Sequence, residues 1–150
     1  MGIIKILAMP LLVLGLIGCT ISTPVVTNGS YEGLANTDIY RGEIFIYRES
    51  SFAGVANQYD VMVNGVLSGS LPNGSFFSVD AEPGENKVEP RTLTSFGLGK
   101  GSTITVERGN SSCLKLTLNF CVQCKSADID IVDNEQCDSE IKSLKKVQLK

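Results

Sequence analysis

Five cysteines carry most of the reactive chemistry open to this chain: Cys19, Cys113, Cys121, Cys124 and Cys137. An odd count leaves one thiol over in an oxidising compartment. Cys19 stands apart at the end of an apolar leader, and setting it aside leaves an even set of four near the C-terminus. Three chemistries compete for those four. Two disulfides are the expectation for an exported domain. The spacing C-x7-C-x2-C-x12-C is not far from a zinc knuckle, which needs four thiolates held reduced. An oxidising envelope opposes that, so no metal is expected. A redox Cys121-x-x-Cys124 pair needs the N-terminus of a helix following a strand to lower a thiol pKa. Here Lys125 to Val132 reads as turn and strand instead.

The remaining polar residues form no catalytic constellation. The chain has no histidine, so the commonest general base and metal ligand is missing, and it has no tryptophan. Asp128, Asp130 and Asp133 lack the spacing of a calcium loop, and the first two project from one face of a strand, where solvated charges usually lie. Gly97-Leu98-Gly99-Lys100-Gly101-Ser102 hints at a phosphate loop, but Gly101 stands where a hydroxyl is needed and no βαβ context surrounds it. No carboxylate pair is singled out, and no cofactor is expected. Lys5 is the only charged residue before Cys19, so the chain from there on carries 12 basic and 16 acidic groups, net -4. With the only basic cluster at Lys142, Lys145, Lys146 and Lys150, nucleic acid is excluded as a partner.

Residues 1–18 have the form of a secretory signal. Lys5 supplies the cation, and an apolar run from Ile6 to Ile17 is interrupted only by Pro10 and Gly15. The run is shorter than the roughly 17–25 residues of a transmembrane helix. Its end, Leu16-Ile17-Gly18-Cys19, resembles the bacterial lipobox, in which small residues precede a cysteine that is lipidated and becomes the mature N-terminus. Cysteine parity points to the same residue. The resemblance implies a diacylglyceryl and palmitate anchor on Cys19 that holds the protein to a membrane. Thr20, rather than Asp, follows that cysteine, which by analogy implies the outer membrane.

Residues 19–37 are polar, with Pro24, Gly29 and Gly33, and read as a flexible tether. Residues 38–150 read as one domain. Its strands are predicted at Glu43–Arg48, Tyr59–Val63, Val66–Leu71, Ser75–Asp80, Asn86–Glu89, Ser102–Glu107, Cys113–Phe120 and Asp128–Val132. Asn64-Gly65 supplies a two-residue hairpin turn, and Pro72-Asn73-Gly74, Pro83-Gly84 and Arg108-Gly109-Asn110 supply further turns. Strands this closely spaced, with no helices between them, predict an antiparallel β-sandwich. Asp133 with Gln136 resembles a capping box, and Cys137, Ile141, Leu144 and Gln148 mark one face, predicting an amphipathic helix over 135–147. A hairpin closing near Cys124 sets Cys113 across from about residue 135, close to Cys137, and leaves Cys121 near Cys124. Of the three connectivities, this geometry leans towards Cys113–Cys137.

The run Tyr47-Arg48, Tyr59-Asp60-Val61-x-Val63-Asn64-Gly65, Gly69-x-Leu71, Gly74-Ser75-Phe76-Phe77 and Pro83-Gly84 resembles a family of small bacterial lipoproteins known only as a domain of unknown function. It is also similar to PEGA-type modules, which implies a prealbumin-like sandwich, while the cysteine-bearing C-terminal part departs from that pattern. Such motifs specify fold far better than activity. The expectation is therefore a non-catalytic binding or structural module of the cell envelope, held to the membrane by the lipid on Cys19, with an envelope protein or glycan as partner. The alternative is a redox or metal-binding protein using the C-terminal cysteines.

Overall fold

A computed structural model describes residues 25–26, 31–34, 38–91, 99–120 and 125–149. Among the described residues, ten strands and one helix follow in chain order. They are β1 (Val25–Val26), β2 (Gly42–Arg48), β3 (Tyr59–Val63), β4 (Val66–Leu71), β5 (Ser75–Ala81), β6 (Gly84–Arg91), β7 (Ser102–Val106), β8 (Ser111–Phe120), β9 (Lys125–Val132), α1 (Asn134–Ile141) and β10 (Lys145–Gln148). One sheet has the order β1-β10-β5-β2-β8-β9 and the other β4-β3-β6-β7. The expected sandwich is present, with a helix laid on its outside.

The Asn64-Gly65 hairpin forms as expected. Asn64 and Gly65 take φ values of 52° and 79°, the doubly left-handed turn that matches strand twist. Strand β3 alternates buried and half-buried side chains as a one-sided strand should. Strand β2 does not alternate: Ile44 and Ile46 enter the sandwich core, while Phe45 and Tyr47 are buried on the opposite face. Its unbroken apolar run is the mark of a strand covered on both sides.

The smaller sheet is antiparallel throughout, as expected, but the larger is mixed, which corrects the expectation for that sheet. Strand β8 runs parallel to β2, and β10 runs parallel to β5. A parallel neighbour needs a crossover connection, and the elements between each pair provide one. From β2 the chain visits the second sheet through β3, β4, β6 and β7 before β8 returns alongside it.

The helix is shorter than predicted. It ends at Ile141, and residues 145–147, expected to continue it, lie in β10 (Lys145–Gln148) instead. The cap is as expected in part: the Asp133 carboxylate accepts from the Gln136 backbone N–H at 2.8 Å, but the Gln136 side chain turns forward to Glu140. Leu144 N–H bonds to Ile141 C=O at 2.8 Å, a tight turn that closes the helix. Lys145 N–H then reaches Gly74 C=O at 3.1 Å and Val147 enters the core, so pairing along β5 prevails over local helix propensity.

Among the described residues, the buried hydrophobics form two clusters. The larger, with Ile44, Val61, Leu71, Phe77, Leu114 and Ile129, lies between the sheets. The smaller lies under α1 and contains Phe45, Tyr47, Phe76, Cys113, Cys137, Ile141 and Leu144. Tyr31 and Leu34 pack against it, with the Tyr31 ring edge-on to Phe45 and Phe76 at 6.0 and 5.8 Å. Part of the stretch read as a tether over 19–37 is thus docked on the domain, both here and where β1 pairs with β10.

Candidate functional site

Successive side chains of a strand point to opposite faces, so Tyr47-Arg48-Glu49 at the end of β2 serves two sites. Tyr47 faces the helix, and Lys115 of β8 is its partner in register. From α1 the Glu140 carboxylate comes down between them. One of its oxygens accepts from the Tyr47 hydroxyl at 2.7 Å and from the Lys115 ammonium at 2.7 Å. Its other oxygen accepts from the Gln136 amide at 2.8 Å. Lys115 also pairs with Glu49 at 2.6 Å. Beside this network a cavity of about 510 Å³ opens between the helix end and the turns at Ser50 and Asn73; Glu49, Glu140, Ser143 and Lys145 help to line it.

The electrostatics make this cluster chemically quiet. Burial works against the charge on Glu140, but hydrogen bonds from Lys115, Tyr47 and Gln136 outweigh it and hold the carboxyl below its ordinary value. For Lys115, burial is likewise outweighed by Glu140 and Glu49, which raise its pKa. Burial and the Glu140 carboxylate push the Tyr47 phenol far up. A general acid or base works best with its pKa near the operating pH, and all three groups are moved away from it. The cluster is an ion-paired latch between sheet and helix.

The same two elements are joined covalently. Cys113 and Cys137 form a disulfide with Cα atoms 6.2 Å apart, and both residues are buried. Cys113 and Lys115 lie two apart on one face of β8, while Cys137 and Glu140 lie three apart on one face of α1. A helix rising along a strand brings both pairs together. The hairpin register differs from the expected one: Cys113 lies opposite Val132 rather than residue 135, because Phe120 already pairs with Lys125. Cys19, Cys121 and Cys124 lie outside the described residues.

Arg48 points the other way and is almost wholly buried, at 1% exposure. Its two terminal nitrogens donate to the carbonyls of Asn57 and Gly54, each at 2.7 Å, and its guanidinium lies 5.0 Å from the Tyr59 ring centre. Burial lowers its pKa, yet an arginine stays cationic in such a site. It acts as a strap for the loop 51–57, whose Phe52 and Val55 stand in solvent.

The other candidates are scattered. Asp133 caps the helix, and Asp128 accepts from the Lys100 backbone N–H and the Asn119 amide. Among the described residues no three His, Cys, Asp or Glu side chains gather as metal ligands would. Gly99 to Ser102 dock on β9, where Lys100 C=O accepts from Ile129 N–H at 2.8 Å. Sequence reasoning missed Tyr47, Arg48, Glu49, Lys115 and Glu140 as a site. The signal available was the matched spacing of Cys113-x-Lys115 and Cys137-x-x-Glu140.

No curated protein and no solved structure matches the chain. A family model described as a protein of unknown function (DUF2846) matches residues 40–127, which run from just before β2 into β9 and leave out α1 and β10. That span is more than half of the chain and holds Tyr47, Arg48, Glu49, Cys113 and Lys115, and the protein belongs to the DUF2846 family.

Proposed function

We propose that this protein is an envelope lipoprotein, anchored through a lipid on Cys19 after removal of residues 1–18, whose domain is a non-catalytic binding or structural module. The outer membrane is its expected site, with an envelope protein or glycan as partner. The observation that carries the reading is the Cys113–Cys137 bond, since disulfides persist in oxidising compartments. The leader and the parity of the cysteines support the same compartment. Support for a non-catalytic role comes from the latch: its carboxylate and ammonium are held charged and spent on each other.

The redox or metal-binding alternative is left with Cys121 and Cys124, because Cys113 and Cys137 are already bonded to each other. Two thiolates fall short of the four ligands that a structural zinc site takes, and the chain has no histidine to complete the set. The anchor is tested by palmitate labelling. Wild type is expected to incorporate label and shift in mobility, and Cys19→Ala to do neither. Identical labelling and migration of the two would refute the assignment.

A further inference from the structure

The sandwich has two unlike ends. At one, Arg48 pairs with Ser75; at the other, Gly42 pairs with Ala81 and Glu43 with Ser111. This second end is a connected surface. Gly109 N–H bonds to Arg41 C=O at 2.9 Å, and Arg41 pairs with Glu82 at 3.5 Å. The Asn86 amide donates to Glu82 C=O at 2.9 Å, and the Asn64 amide donates to Asn86 at 2.9 Å. On this surface Ile39, Tyr40, Val66 and Leu67 are 70%, 73%, 66% and 54% exposed.

The direction of β1 says what faces it. Strand β5 runs from the Arg48 end to the Gly42 end, β10 runs parallel to it, and β1 runs antiparallel to β10. The N-terminus of β1 therefore points to the Gly42 end. Val25 lies opposite Gln148, and the register Lys146↔Phe76 puts that level near Ser78. Five residues lie between Cys19 and Val25, six Cα-to-Cα steps that span at most about 20 Å. Three further residues of β5, about 10 Å, separate Ser78 from Ala81. A stretched leash thus extends only about 10 Å past that end.

We infer that the end bearing Ile39, Tyr40, Val66 and Leu67 lies against the lipid bilayer, its apolar side chains in the interfacial layer. The inference rests on the lipidation proposed above. Charge is not what holds it there: the four acidic residues Asp38, Glu82, Glu85 and Glu107 at this end outnumber Arg41, Lys87 and Arg108. The leash supplies proximity and the apolar side chains supply contact, with Tyr40 of a type that settles at membrane interfaces. Phe52, Val55 and the cavity beside Glu140 consequently face away from the membrane, toward the envelope space.

The chain has no tryptophan, so single substitutions report cleanly. The lipidated full-length mature protein carrying Tyr40→Trp, Leu67→Trp or Phe52→Trp is reconstituted into phosphatidylethanolamine–phosphatidylglycerol vesicles. A share of the lipids is brominated near the top of one acyl chain. Fluorescence of the first two variants is expected to be blue-shifted and quenched severalfold more than that of Phe52→Trp. Equal quenching at the three positions overturns the orientation. All three residues are exposed, so folding is not at risk from the substitutions. Intact mass of the N-terminal peptide and vesicle flotation separate the two layers of the argument. A chain that floats with its lipid while positions 40 and 67 remain unquenched refutes the orientation alone; a chain without lipid refutes the anchor and the orientation together.

Discussion

Removing the Cys113–Cys137 bond is expected to take away a large part of the domain's stability. The two cysteines are 24 residues apart in sequence. In the chain-entropy model, opening a loop of that size frees the unfolded chain by about 3.5 kcal/mol at 25 °C. Replacing both buried sulfurs by Ala also loses packing under α1, worth about 0.5–1 kcal/mol. The double variant Cys113→Ala/Cys137→Ala should therefore be about 4 kcal/mol less stable, against a total of roughly 5–15 kcal/mol for a domain. Urea unfolding followed by far-ultraviolet circular dichroism measures this, with both proteins produced without residues 1–19 to keep them soluble. Because the cross-link restricts the unfolded chain, its loss should also raise the slope of the transition, as more surface becomes exposed. A loss below about 1 kcal/mol with an unchanged slope would refute the view that this bond staples helix to sheet.

Arg48→Met should cost about 2–4 kcal/mol, since two charge-assisted hydrogen bonds to loop carbonyls disappear, and Arg48→Lys should not rescue it because an ammonium lacks the fork. Urea midpoints, together with protease cleavage within 51–57, check both. Glu140 has its carboxyl held below the ordinary 4.5, so its contribution is full above that pH and is lost as pH falls through the folded value. Lys115, raised above 10.5, contributes fully below that value and loses its share as pH rises through the folded one. Stability measured against pH should then fall less steeply on the acid side in Glu140→Gln than in wild type, and parallel acid limbs would count against the latch. Gly42→Ala should lower stability by about 1–3 kcal/mol, because a Cβ there meets the Val106 side chain and lies 2.9 Å from the Glu107 carbonyl oxygen; thermal melts read the effect.

Most strands were legible because their signals are local. Tyr59–Val63 alternates, and Asn64-Gly65 is a turn that the chain can write in two residues. What escaped depended on partners distant in sequence. Lys145–Gln148 carries no strand pattern of its own and becomes one because β5 offers an open edge and Val147 a place in the core. The docking of Tyr31, Leu34 and β1 was hidden by a polar, glycine-bearing composition that suits a tether equally well. The latch was harder still, since Tyr47 and Glu140 are 93 residues apart and each is unremarkable alone. Cys113 and Cys137 could be brought near each other only through a hairpin register, and that register was off by three residues.

The placement of charge narrows where recognition can occur. Each charged group that the fold draws inward is committed to an element: Lys115 to Glu49 and Glu140 across sheet and helix, Arg48 to the carbonyls of one loop. Burying such groups costs desolvation, which good pairing offsets but rarely exceeds, so they serve geometry more than they add stability. Removing one partner would leave the other uncompensated, and the latch is therefore fixed rather than free to bind. Large apolar side chains left in solvent are the groups not spent on the fold, and they gather mainly at the two ends of the sandwich. If the Gly42 end meets lipid, the strapped loop carrying Phe52 and Val55 is the apolar tip turned toward the envelope space, and Arg48 is there to hold that tip in one shape.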